Sequence, residues 1–71
     1  MNENIYKAIG KNIKKHRLEK NLTQQMLAKA IGKGLNFVGK IEVGFSRPSL
    51  NTIIDISRAL DVPLKNLFDF E

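Results

Sequence analysis

Few side chains in this 71-residue chain are suited to covalent chemistry or to metal binding. The chain has no cysteine and one histidine, His16, so it lacks the residues for a thiolate nucleophile and for a metal site of the usual ligand spacing. It has no glycine-rich phosphate loop, and a histidine without a suitably placed partner makes no catalytic triad. We therefore expect a protein that is not an enzyme and that holds no metal or cofactor. His16 is expected to be a surface residue of the first helix, beside Lys15 and Lys20.

The stretch of residues 22–44 predicts two short helices joined by a glycine-bearing turn. Thr23 is a good N-cap for the first helix, because its hydroxyl can accept a hydrogen bond from a free backbone N–H. The apolar residues of that helix share one face at helical spacing: Met26, Leu27, Ala30 and Ile31. Gly32 ends it, and Gly32 and Gly34 can take positive φ so that the chain reverses direction. The second helix is expected to begin near Leu35 or Asn36 and to end at Gly44.

The second of these helices has an apolar side and a small, polar side. Val38 and Ile41 point inward, whereas Asn36, Gly39 and Lys40 lie elsewhere around the helix. A helix, a tight turn and a second helix with such an outer face is the geometry that enters a DNA major groove. Asn36 could instead cap the helix, and Lys40 could be only a solvated charge.

Positive charge is concentrated in the first two thirds of the chain. The net charge is +5, but residues 1–47 contain ten lysines and arginines against three acidic residues, a net of +7, and residues 48–71 carry −2. A basic surface favours a polyanionic partner. This distribution indicates one surface that meets phosphate and another that meets something else. A randomly charged, solvated surface is the alternative.

Helices are predicted on both sides of this unit. The first runs from near Asn4 to about Lys20, with isoleucines at every fourth position, and Asn21 is a left-handed C-cap candidate. It is amphipathic and basic, but it lacks the aromatic residues that usually anchor a helix at a membrane surface. Packing into a core is therefore the better interpretation of its apolar stripe.

Two helices are predicted after residue 44. Pro48 lies at or near the start of the fourth helix, which Ser46 or Ser49 can cap. Pro63 ends that helix and opens a short fifth one. No segment alternates with period two for long enough to predict a strand, so residues 1–71 are expected to form one all-α domain. The longest apolar run is far below the roughly 20 residues that cross a bilayer, and no signal-peptide pattern occurs, so a cytoplasmic protein is expected.

Five short runs along the chain are informative as a set because of their order and spacing: Leu22-Thr23-Gln24, Leu27-Ala28, Ile41-Glu42-x-Gly44, Pro48-Ser49-Leu50 and Ala59-Leu60-x-Val62. Together they resemble the lambda repressor/Cro-type (Cro/C1-type) helix-turn-helix family, over about residues 9–68. The resemblance implies a compact five-helix, lambda repressor-like DNA-binding domain whose helices 2 and 3, about residues 23–43, form the helix-turn-helix. It also implies a regulator of transcription that is usually dimeric.

The resemblance assigns roles to single residues. Gln24 matches the family position at the start of helix 2 that binds a phosphate, and Leu35, Asn36 and Lys40 match positions that commonly touch base edges. Asparagine can bond adenine and lysine can bond guanine, whereas leucine can contact only a thymine methyl. The remaining DNA-binding candidates lie in the turn, in helix 3 and in the loop after it: Lys33, Phe37, Phe45 and Arg47. Phe37 could be core, groove wall or a thymine contact.

The sequence departs from the commoner family pattern at Lys33, Gly34 and Gly39, which leaves the start of helix 3 open. The resemblance also pairs Arg17, late in helix 1, with Glu42 as a structural clamp. Two exposed charges of little consequence are the alternative.

The apolar C-terminal end predicts a two-fold homodimer. Helix 4 and the tail contain more large apolar residues than one side of a small domain can bury, and Leu64, Leu67 and Phe68 are the expected interface residues. The predicted function is a sequence-specific regulator of transcription, an autorepressor or a controller protein, that binds an inverted repeat in double-stranded DNA. The alternative is a protein-interaction module, or an antitoxin-like protein that binds a partner, with secondary DNA binding. Neither a membrane nor a small-molecule ligand is an expected partner.

Overall fold

A computed structural model of the chain describes residues 2–70, with side chains from residue 5 onward; Met1 and Glu71 of the predicted domain lie outside the described residues. Within these limits every regular secondary-structure element is an α-helix, which confirms the predicted fold class. Its helices, in chain order, are α1 (Asn2–Glu19), α2 (Gln24–Ala30), α3 (Phe37–Glu42), α4 (Leu50–Leu60) and α5 (Leu64–Leu67). None of these helices has the length and apolar character needed to cross a membrane.

The turns between the first three helices use two left-handed residues. Asn21 has φ +60° after α1, as predicted, and Gly32 has φ +72° after α2. Lys33 N–H donates to the carbonyl of Ala28 at 2.8 Å, which closes the end of α2. Gly34 does not have a positive φ, so Gly32 alone makes the reversal, and the expectation for Gly34 was wrong.

The cap of α2 is as predicted, but its buried face is narrower. Thr23 Oγ1 accepts a hydrogen bond from Met26 N–H at 3.0 Å. Leu27 and Ala28 are buried, whereas Met26 is 50% exposed and Ala30 is also exposed. Only two residues of this seven-residue helix are buried, so the helical spacing of apolar residues overestimated how many of them α2 contributes to the core.

The third helix begins one or two residues later than predicted. Leu35 and Asn36 form a turn that precedes α3, and Phe37 N–H donates to the carbonyl of Gly34 at 3.1 Å. Asn36 occupies the N-cap position of α3, but it has a helical backbone and its side chain makes no cap hydrogen bond. After α3, Gly44 has φ +81° and ends the segment that contains the two helices and their turn.

The last two helices complete the core. Ser49, and not Ser46, caps α4, because its Oγ accepts from Thr52 N–H at 3.2 Å. Asp61 takes φ +56° after α4, and Pro63 precedes α5. The buried apolar residues come from every helix of the described chain: Ile9, Ile13, Leu27, Ala28, Val38, Ile41, Ile53, Ile56, Leu60 and Leu67.

One predicted interface residue belongs to this core. Leu67 is 0% exposed, so the expectation that it lies at a dimer interface was wrong. Leu64 is half-buried and packs against the same core, whereas Phe68 is 36% exposed. Of these three residues in α5 and directly after it, only Leu67 is fully buried, and the apolar pattern alone does not identify which one is.

Candidate nucleic-acid interface

The outer face of α3 and of the turn before it is open to solvent. Leu35, Asn36 and Lys40 are exposed, and Gly39 is partly exposed. Val38 and Ile41 hold the opposite side of the helix in the core. The structure therefore brings three of the predicted base-contacting residues to one accessible surface, which we call the α3 face: residues 35, 36, 39 and 40.

Gln24 lies against the α3 face although it belongs to α2. Its Nε2 donates a hydrogen bond to Glu42 Oε1 at 3.0 Å. A Cβ atom built on Gly39 would lie 3.3 Å from Gln24 Oε1 and 3.7 Å from its Nε2. The carboxamide of Gln24 thus occupies the space beside the missing side chain of Gly39.

The carboxylate of Glu42 also forms an ion pair with the guanidinium of Arg17. Arg17 Nε donates to Glu42 Oε2 at 2.6 Å and Arg17 Nη2 donates to Glu42 Oε1 at 3.0 Å, a bidentate arrangement. The two side chains are 7% and 1% exposed. Arg17 Nη1 donates further to the carbonyl of Leu22 at 2.7 Å. The guanidinium therefore joins α1, the loop before α2 and the end of α3.

Lys33 and Phe37 form a contact at the edge of the α3 face. The Nζ atom of Lys33 lies 5.2 Å from the centroid of the Phe37 ring, within the range of a cation–π interaction. Phe37 is half-buried and packs against the core. The Phe37 ring therefore has a structural role, and its contact with Lys33 keeps that ammonium group near the start of α3.

Arg47 and Phe45 occupy the loop after α3. The guanidinium of Arg47 lies over the ring of Tyr6, with its carbon Cζ 5.5 Å from the centroid. Phe45 is 77% exposed. The contact with Tyr6 ties the loop to α1, and the Phe45 ring projects into solvent.

Gly10 is a residue of structural importance that the sequence analysis missed. A Cβ atom at Gly10 would lie 2.7 Å from the carbonyl oxygen of Glu42 and closer still to that of Ile41. The backbones of α1 and α3 therefore touch at this glycine. A glycine inside an otherwise helical pattern was the available signal, because such a residue is costly to a helix unless packing requires it.

His16 is less exposed than expected. Its side chain is 14% exposed, and its Nδ1 lies 3.3 Å from Glu19 Oε1, one turn further along α1. His16 lines the same shallow cavity as Lys15, Asn66 and Asp69, so its imidazole is partly buried and not on the fully open surface that was expected.

Comparisons with known proteins agree on one family. A sequence profile described as Helix-turn-helix matches residues 13–67. Control protein C.BamHI of Bacillus amyloliquefaciens is 37% identical over 71 residues, which is 99% of this chain and 88% of that protein. The uncharacterized HTH-type transcriptional regulator YqaE of Bacillus subtilis (strain 168) is 40% identical over 60 residues, covering 84% of this chain. The chain spans 52% of the length of YqaE.

A solved structure has the same fold. The crystal structure of the restriction-modification controller protein C.AhdI from Aeromonas hydrophila matches with a TM-score of 0.88 and 30% sequence identity. The match covers 93% of this chain and 96% of that chain. Because the family profile spans the α2–turn–α3 unit together with most of the core around it, this chain belongs to the helix-turn-helix family.

Proposed function

We propose that this chain is a non-catalytic, cytoplasmic regulator of transcription that binds a specific sequence of double-stranded DNA with α3 in the major groove. The observation that carries the proposal is the α3 face, which presents Asn36 and Lys40 to solvent while the rest of the helix is held in the core. The similarity to two control proteins over nearly their whole length favours a controller-type regulator.

The α3 face has the groups that base recognition needs. The carboxamide of Asn36 makes no cap bond and is exposed, so both its donor and its acceptor can meet an adenine. The ammonium of Lys40 can donate to O6 and N7 of guanine, and Leu35 can contact a thymine methyl. Lys33, Arg47 and the exposed lysines of α1 supply phosphate contacts that position the helix.

Binding is expected to weaken steeply as salt is added. Each phosphate neutralised by a lysine or arginine contributes about −0.9 to the slope of log K against log salt concentration. Six such contacts would lower the affinity on the order of a thousandfold between 50 and 200 mM salt. Fluorescence anisotropy with a duplex selected from a randomised pool measures this. An affinity that does not change over that range would contradict the proposal.

Lys40→Ala is expected to relax the preference at one base pair by about 1–3 kcal/mol if the ammonium bonds guanine. Lys65→Ala is the matched control, because Lys65 is an exposed lysine of α5, outside the α3 face. The measurement is the affinity of each variant for the selected duplex and for single-base-pair changes of it. A loss that is equal on every duplex would assign Lys40 to a phosphate instead.

We propose further that two copies associate through an apolar patch formed by Ile5 of α1, Leu50 of α4 and the C-terminal residues Phe68 and Phe70. Ile5, Leu50 and Phe68 line one shallow cavity of about 410 Å³, and each of them is exposed. Phe70 is also exposed, and its ring meets that of Phe68 edge-on, with centroids 6.2 Å apart. A cluster of this kind favours self-association. A two-fold axis there would set two α3 helices one DNA turn apart, roughly 34–36 Å, on an inverted repeat.

Phe68→Ser is expected to yield monomers and to weaken binding to the inverted repeat, because each monomer would then hold only one half-site. The fold should persist, since Asn12 Nδ2 donates to the carbonyls of Leu67 and Asp69 and fixes the backbone around Phe68. Sedimentation equilibrium measures the mass of each species. Leu18→Ser, at an exposed apolar residue of α1, is the control. A wild-type chain that stays monomeric at high micromolar concentration would rule out the dimer.

A further inference from the structure

The carboxamide of Gln24 has a defined orientation. A carboxylate accepts hydrogen bonds and donates none, so the amide nitrogen of Gln24, and not its oxygen, must face Glu42 Oε1 at 3.0 Å. The two bonds from Arg17 fix that carboxylate in turn. The side chain of Gln24 is therefore held at one end by a buried group, which limits the rotamers it can adopt.

That bond uses only part of the hydrogen-bonding capacity of the amide. A glutamine side chain has two N–H groups and a carbonyl oxygen, and Glu42 takes one N–H. The second N–H and Oε1 are left for another partner, since the hydrogen bond to Glu42 is the one that the Gln24 side chain makes within the described chain. Gln24 as a residue is exposed.

The carboxamide also lies where a side chain of α3 would otherwise be. The Cβ position of Gly39 is 3.3 Å from Gln24 Oε1, so any side chain at residue 39 would compete with the amide for the same space. Gly39 lies between Asn36 and Lys40 on the α3 face. With α3 in a major groove, as proposed, an amide at this place would face the bases together with the side chains of Asn36 and Lys40.

We propose that Gln24 is a base-reading residue that takes the place of a side chain at position 39, instead of the phosphate-binding role that the family resemblance implies, and that its partner is adenine. The inference rests on the proposed function and adds a specificity role to it. A donor and an acceptor on one carboxamide are the pair that bonds N7 and N6 of adenine. Glu42 acts as a positioning residue, and Gly39 keeps the place open.

The test compares binding sites that wild-type and variant proteins select from a randomised duplex pool. Gln24→Ala is expected to lower the discrimination at one A·T pair by about 5- to 150-fold and to leave the preferences at the other pairs in place. Gln25→Ala, a change at the neighbouring exposed glutamine, is the control and should select the wild-type site.

Gly39→Ala is the second variant, and it tests the proposal without removing a bond to Glu42. Its methyl group should displace the amide by a few tenths of an ångström and reduce the preference at the same A·T pair. In a Gln24→Ala background the same change should have no further effect on that pair. Helix propensity favours alanine over glycine, so the thermal melting temperature should not fall.

The possible outcomes distinguish a failure of base recognition by Gln24 from a failure of the proposed DNA-binding function. If Gln24→Ala weakens all duplexes evenly and retains every base preference, the amide contacts phosphate and the inference is overturned. If Gly39→Ala weakens binding to all duplexes equally, the added methyl group blocks DNA sterically and does not act through base recognition by Gln24, which also overturns the inference. If the wild-type chain selects no site at all, the proposed function fails, and the inference fails with it.

Discussion

Gly10→Ala is expected to lower the free energy of unfolding by about 3 kcal/mol or more, the upper range for overpacking a dense interior. The added Cβ would lie 2.7 Å from the carbonyl oxygen of Glu42, and closer to that of Ile41. Both obstacles are backbone atoms of α3, which cannot move aside as the end of a side chain can. A domain of this length has a total stability of about 4 to 11 kcal/mol, so much of it would be lost.

The matched control is Gly39→Ala, at a helical glycine of α3. Glycine costs a helix interior up to about 1 kcal/mol relative to alanine. The three atoms nearest to a Cβ at Gly39 belong to the end of the Gln24 side chain, which needs to shift by only a few tenths of an ångström, so this change should be neutral or stabilising. Urea denaturation followed by circular dichroism measures both variants. Equal stability of Gly10→Ala and wild type would show that α1 and α3 are not in contact at this glycine.

Arg17→Met should destabilise the domain by about 3–5 kcal/mol, because it leaves a buried carboxylate without its cation. The Glu42 side chain is 1% exposed and would keep only the hydrogen bond from Gln24. The carbonyl of Leu22 would lose its bond from Arg17 as well. The same change should weaken DNA binding, because α3 would no longer be held against α1.

The double change Arg17→Met, Glu42→Leu should recover much of the loss, since no unpaired charge then remains in the interior. Recovery should be incomplete, because the carbonyl of Leu22 still lacks its partner. Thermal melts of wild type, both single variants and the double variant form the cycle that measures the coupling. If a single variant has the same melting temperature as wild type, the Arg17–Glu42 pair adds nothing to stability.

Local signals in the sequence predicted the helices and most of their ends. Thr23 caps α2, and Asn21 takes a left-handed conformation after α1, as their residue types indicate. Of the three isoleucines at helical spacing in α1, Ile9 and Ile13 are buried as predicted, whereas Ile5 is 43% exposed. These features depend on side chains and backbone within a few residues, so a sequence contains enough information to predict them.

The exposed apolar residues at the C-terminal end could be predicted in kind but not residue by residue. The excess of apolar residues near the C-terminus is visible in the sequence, yet Leu67 is buried and its neighbour Phe68 is exposed. The rotation of α5 about its axis decides between them, and that rotation is set by packing on α1 and α4. A four-residue helix is too short for its own periodicity to specify it.

By itself, the sequence determined an all-α chain with a helix-turn-helix unit, a basic surface and the residue types of the α3 face. Only the tertiary structure decided that the backbones of α1 and α3 touch at Gly10 and that the amide of Gln24 lies beside Gly39. The physical reason is separation along the chain. The packing of the core brings the backbone of Gly10 against that of Glu42, and the side chain of Gln24 against Gly39, and no local propensity or spacing predicts either approach.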